Sequence, residues 1–222
     1  MEWLELKNVD WSEIGIGTVD TLSMLGFSTL FTILIGLPLG IILFLTSRGQ
    51  LLANRGFYLI ASFIVNVLRS VPFIILMILL IPVTKAIVGT SLGVLGSIPP
   101  LVIGAAPFFA RLVETSLREV DRGVTEAAQS MGASNWQIVW NVLLPEARSG
   151  LIAGITITTV ALVSYTAMSG VIGGGGLGDL AIRYGYQRFQ TDVMIVTVVI
   201  LLVLVQILQS LGDRLVLKYS RK

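Results

Sequence analysis

The chain has no cysteine and no histidine among its 222 residues. The first absence excludes a disulfide framework and thiolate chemistry. The second removes the commonest general base and the commonest zinc ligand, so no metal site is expected. Charge is scarce as well. Charged residues make up 13% of the chain, where a soluble domain carries about 25%. The net charge of +2 is too small to argue for nucleic acid. What is abundant is apolar surface: 55% of residues are hydrophobic and the mean hydropathy is +0.89. Such a composition points to an all-α, polytopic membrane protein forming a single transmembrane domain over 1–222, with no room for a second soluble domain.

Apolar runs predict five spans, over about 21–45, 57–81, 98–117, 150–168 and 193–211, each near the roughly 20 residues a membrane helix needs. Residues 1–20 hold Glu2, Glu5, Asp10, Glu13 and Asp20 against one Lys7. A cleavable signal peptide starts basic and has a short apolar core, so this segment reads instead as an extracytoplasmic tail. Five spans put the termini on opposite sides, and basic residues mark the inner side. With the N-terminus outside, ten basic residues fall inside (Arg48, Arg55, Arg111, Arg118, Arg122, Arg148, Arg214, Lys218, Arg221 and Lys222) and four outside (Lys7, Lys85, Arg183 and Arg188). Arg69, inside the second segment, is left out of that count. The C-terminus is therefore expected in the cytoplasm.

Gly36, Pro38, Gly40, Pro72, Gly104 and Pro107 interrupt the spans, and Gly150 and Gly154 form a small-xxx-small pair. Tight helix packing accounts for them, and so do helices that bend during a functional cycle.

The longest inner connection, 118–149, reads as folded. Val124, Ala127, Ala128 and Met131 fall at i, i+3, i+4 and i+7, one face of a helix. Gly132 stands where a helix end wants a left-handed residue. Ser134 and Gln137 are spaced as a capping box for a second helix. Trp136, Val139, Trp140 and Leu143 mark its face, and Pro145 is expected to stop it. Two uses suit such a pair: an anchor in the membrane interface, with the Trp residues at the headgroups, or a surface that docks a partner.

Glu126-Ala127-Ala128, then Gly132, then Val142, Leu144 and Pro145 resemble the EAA loop of ABC importer permeases at every position of that pattern. Three further stretches are similar to the methionine-uptake permeases of that family: Arg69-Ser70-Val71-Pro72-Phe73-Ile74-Ile75-Leu76, Gly104-Ala105-Ala106-Pro107-Phe108, and Gly174-Gly175-Gly176-Leu177-Gly178. The resemblance covers nearly the whole chain from Thr21 onward. It implies a five-helix permease, and it implies that the loop docks a separate ATPase subunit through Glu126, Ala127, Ala128 and Gly132, with Pro145 closing the motif. It also implies a permease homodimer, two ATP-binding cassette subunits, and an extracytoplasmic methionine-binding protein, a lipoprotein or free. All of these act at the cytoplasmic (inner) membrane of a bacterium. The cargo it implies is an amino acid, methionine in its L- and also its D-form, moved inward by alternating access; a different amino acid or small zwitterion is the alternative cargo for the same kind of permease.

No Gly-x-x-x-x-Gly-Lys-Ser/Thr loop is present, and no Gly-Lys pair occurs. The chain is therefore not expected to be an enzyme or to hold a cofactor; ATP and Mg belong to the partner ATPase. The run Gly173–Gly176 with Gly178 reads as a flexible loop or re-entrant segment. Two residues are candidates for the pathway. Arg69 could line it, meet a carbonyl, or reach the inner interface. Met168, beside Gly170, could gate a pore with a flexible apolar side chain, or simply pack. Arg111 and Glu114 read as an ion pair at helical spacing. A proton- or ion-coupled transporter or a channel remains the competing class, but it would need ionisable or filter residues at mid-membrane.

Overall fold

The computed structural model describes residues 6–220, so Glu2, Glu5, Arg221 and Lys222 lie outside the described residues. Among the described residues the chain is helical throughout, without strands.

The first helix, α1 (Trp11–Thr46), begins ten residues before the expected span. Asp10 caps it, accepting from the backbone N–H groups of Ser12 and Glu13. Part of the expected tail is therefore the polar end of α1. Glu13 and Asp20 hide it from a hydropathy reading. At 36 residues the helix is about 54 Å long, well beyond a hydrocarbon core of about 30 Å. Its polar start is held by the far end of the chain. The Tyr184 hydroxyl donates to Glu13 Oε1 at 3.0 Å, and the Asn8 backbone N–H donates to Asp192 Oδ2 at 2.9 Å.

α1 packs most extensively against α5 (Gly93–Arg118). Ser28, Thr32, Gly36 and Gly40 form a buried stripe along α1 at intervals of four. At Gly40 an added Cβ would stand 2.5 Å from both the Ala110 carbonyl oxygen and Val113 Cβ, so only glycine admits this approach. Gly150 and Gly154 bring α9 (Arg148–Ser169) onto Ser116 and Leu112 of α5 in the same way. Packing is thus the use the structure makes of these small residues. α11 (Thr191–Tyr219) lies against α9.

The second expected span is not continuous. α2 (Arg55–Ser70) and α3 (Phe73–Leu79) meet at a bend of 103°. Pro72 lacks the N–H that would continue α2, and it forces Val71 into an extended conformation, φ −78° and ψ 126°. α4 (Ile81–Val88) follows, ending in a left-handed Gly89. Among the described residues four helices are long and apolar enough to cross a membrane, and the bent pair α2–α3 has the length and composition of a fifth, broken span or of a re-entrant segment.

The glycine-rich run is not a flexible loop. Gly173, Gly175 and Gly176 adopt left-handed φ near +77° (76°, 77° and 78°), which lets the chain fold back into the bundle. The short α10 (Gly176–Leu180) then packs against both α1 and α9. The Leu177 backbone N–H donates to Thr21 Oγ1 at 2.9 Å, and a Cβ on Gly178 would strike the Ala167 backbone at 2.4 Å. The segment is a packed plug under the start of α1.

Candidate functional site

α6 (Arg122–Ser130) starts at Asp121, whose carboxylate accepts from the Gly123 N–H at 2.6 Å. Its end is a Schellman turn. Gly132, at φ +82°, donates to the Gln129 carbonyl at 2.9 Å, and Ala133 donates to the Ala128 carbonyl at 3.1 Å. The expected capping box then forms: Ser134 N–H to Gln137 Oε1 at 2.8 Å, and Gln137 N–H to Ser134 Oγ at 3.3 Å. It opens α7 (Asn135–Ile138).

Pro145 does not stop this helix. The chain runs from α7 through a π-helical turn, Val139–Leu143, into α8 (Leu144–Glu146) and then α9. A proline clashes with the carbonyl four residues earlier and donates nothing to it. The wider π turn, where the Leu144 N–H reaches back to the Val139 carbonyl, absorbs that clash.

The two expected apolar faces are divided by the fold. Ala128, 5% exposed, points inward and joins Leu117, Ile138, Val139 and Leu143 in one core cluster with Phe44 and Phe109. Glu126 and Ala127 face outward, as do Val124 and Met131, the latter 82% exposed. Trp136, 66% exposed, also points outward and meets Trp140 edge to face at 5.6 Å. In the single chain, then, the α6 helix stands on one alanine and turns the rest of its small and apolar face away from the body of the chain. Gly132 sits beside it with open space where a Cβ would stand.

Directly above, the end of α5 is locked to α2. Glu114 is 3% exposed and pairs with Arg111, and with Arg118 at 2.6 Å. The Tyr58 hydroxyl donates to Glu114 Oε1 at 3.1 Å. Arg111 also donates to the Ser62 carbonyl at 3.1 Å, to the Ser62 hydroxyl, and to Asn66 Oδ1 at 3.0 Å. The Arg111–Glu114 pair was legible from spacing. The structure adds Arg118 and the α2 residues Tyr58, Ser62 and Asn66 to it. Their signal was a polar stripe, Tyr58, Ser62 and Asn66, spaced by four on an otherwise apolar helix.

Residues 36–221 match the family model described as binding-protein-dependent transport system inner membrane component. The chain belongs to that family. It is a multi-pass membrane permease. A probable D-methionine transport system permease protein of Pasteurella multocida is 49% identical to it over 96% of this chain and 98% of that one. The methionine import system permease protein of Bacillus subtilis is 51% identical over 93% of each. A solved chain from inward-facing conformations of the MetNI methionine ABC transporter superposes with a TM-score of 0.93 at 47% identity, over 94% of this chain and 97% of that one. A chain from an amino acid ABC transporter with histidines, at 20% identity and a TM-score of 0.76, shares the fold.

In the permease, the two candidate pathway residues stand apart from the loop. Arg69 is exposed at the end of α2, just before the bend, with its guanidinium 5.5 Å from the Phe108 ring centroid. Met168, near the end of α9, is 43% exposed.

Proposed function

We propose that this permease is the membrane-spanning subunit of an ATP-driven importer for methionine. Two copies of the chain form the path, two ATPase subunits dock on their α6 helices, and an extracytoplasmic binding protein delivers the cargo. The outward-facing α6, with Glu126, Ala127 and Gly132 uncovered by the chain itself, is the observation that carries the coupling role. A short helix seated on one buried alanine can be pushed as a unit, and beyond the hydrogen-bonded Gly132 turn α7 runs through the π turn and α8 toward α9. The cargo rests on the relatives, several of which are named for methionine or D-methionine transport. The ten-to-four division of basic residues supports an outside N-terminus and a cytoplasmic C-terminus. Met168, exposed at the outer end of α9, suits a gate on the path. Alternating access follows: ATP binding moves α6, the helices repack to face outward, and hydrolysis resets them.

Proteoliposomes holding the permease, its ATPase and the binding protein will take up labelled methionine when ATP is supplied on the ATPase side. Vesicles lacking the ATPase will not. Uptake driven by a proton or sodium gradient without ATP would overturn this reading.

A further inference from the structure

A half-open hollow of about 260 Å³ lies beside the bend between α2 and α3. Its walls come from three parts of the chain: Arg69 and Phe73 at the bend, Gly104 and Phe108 on α5, and Tyr165 on α9. The Phe73 and Tyr165 rings stack at 4.2 Å with 8° between their planes and make one apolar wall. A side chain at Gly104 would press on the Phe73 ring at 3.1 Å, so glycine there lets that wall stand where it does. Arg69 lies over Phe108 on the other side.

Three of the helix arginines have carboxylate partners. Arg111 and Arg118 share Glu114, and Arg183 holds Asp179 at 3.0 Å. Among the described residues no carboxylate pairs with Arg69. With Arg55 at the inner interface, α2 carries Arg69 about 21 Å toward the outer side of a hydrocarbon core of about 30 Å. A cation at that depth is costly unless protein, water or a counter-ion meets it. A broken helix at such depth persists where it lines a cavity rather than lipid. Pro72 also has no N–H to give the carbonyl of Leu68, which borders the same hollow.

We infer that Arg69 is a transient binding residue for the α-carboxylate of the cargo. The guanidinium makes the paired hydrogen bonds to two carboxylate oxygens that its planar fork favours. The Leu68 carbonyl accepts from the cargo ammonium, and the Phe73–Tyr165 wall takes the apolar side chain. The hollow therefore selects zwitterions with one carboxylate and an uncharged side chain. A lipid phosphate offers Arg69 the same paired anionic oxygens, and the test separates the two. The inference rests on the import function proposed above: that reading fails if the wild type carries no methionine, whereas this one fails on Arg69 alone.

The test uses the complete transporter in proteoliposomes and reads methionine moved per ATP hydrolysed. Arg69→Gln is expected to lower that ratio about 10- to 100-fold, the range set by losing a charge-assisted hydrogen bond. Arg69→Lys keeps the charge without the fork and is expected to fall between Arg69→Gln and the wild type. A ratio within twofold of wild type in Arg69→Gln overturns the inference, and so does an Arg69→Lys ratio as low as that of Arg69→Gln. An Arg69→Gln defect that appears in vesicles with anionic lipid and vanishes in pure phosphatidylcholine assigns the site to a lipid phosphate and also overturns it.

Discussion

Gly132→Asp abolishes ATP-driven uptake while leaving the permease folded in the membrane. The backbone at Gly132 is left-handed, φ +82°, a conformation that Asp visits at a cost of about 1 kcal/mol. A Cβ there meets nothing within 4 Å, so the new side chain disturbs no packing within the chain. What it changes is the surface beside Glu126 and Ala127, where it places a carboxylate and a longer side chain on the face offered to the ATPase. A charge buried without a partner at a contact of this kind costs several kcal/mol. The expected result is uptake at background, with a membrane level within twofold of wild type on an immunoblot. Gly132→Asn, which tolerates the same backbone without the charge, retains more uptake. Normal uptake by the Asp variant would count against docking at this turn.

Glu114→Ala carries the largest expected loss of stability. The carboxylate is almost fully enclosed and balances two guanidiniums, Arg111 and Arg118, while accepting from Tyr58. Removing it leaves two positive groups together with no counter-charge at the end of α5. Breaking a fully buried ion pair from one side costs about 3–5 kcal/mol, and the cost here is lower because the Arg118 side chain, 42% exposed, reaches solvent. The detergent-purified protein should therefore melt well below wild type. Glu114→Gln, which keeps an acceptor for Tyr58 but not the charge, should lie between the two. The position gives the loss a functional side. Arg118 is the last residue of α5, and α6 begins at Arg122, so this network fixes the base from which α6 is presented. Equal melting of wild type and Glu114→Ala would mean that solvent or lipid already screens the pair.

The elements that were legible in the sequence are those written in local chemistry. The Ser134–Gln137 capping box and the Gly132 turn formed as their spacing required. Ala128, Val139 and Leu143 went inward as helical periodicity allowed. What periodicity could not show is which apolar side chains face the chain and which face something outside it. Val124, Met131, Trp136 and Trp140 share the pattern of core residues, yet they stand exposed, because helical spacing is the same for a face turned to the body of the chain and one turned away from it. Pro145 was misread for a related reason. Proline breaks a regular α-helix, but Val139–Leu143 widens into a π turn, and that adjustment has no local signature. Gly173–Gly178 looked flexible by composition. Its order comes from Thr21, Met24 and Ala167, residues distant in sequence or in the neighbouring helix. The continuous second span fails at Pro72, because a proline inside an apolar run is compatible with a packed, kinked helix as well as with a full break.

The claim that α6 carries the force of ATP hydrolysis can be tested with one cysteine. The chain has none of its own, so Ala127→Cys supplies a single thiol on the outward face of α6. A short thiol-to-amine cross-linker applied to the assembled transporter should join this residue to the ATPase subunit. The yield should change between nucleotide-free and ATP-bound states, and the linked complex should no longer transport. Tyr186→Cys, exposed on the segment between α10 and α11, should give no such product. Failure of Ala127→Cys to reach the ATPase in any nucleotide state, with uptake intact, would contradict coupling through this helix.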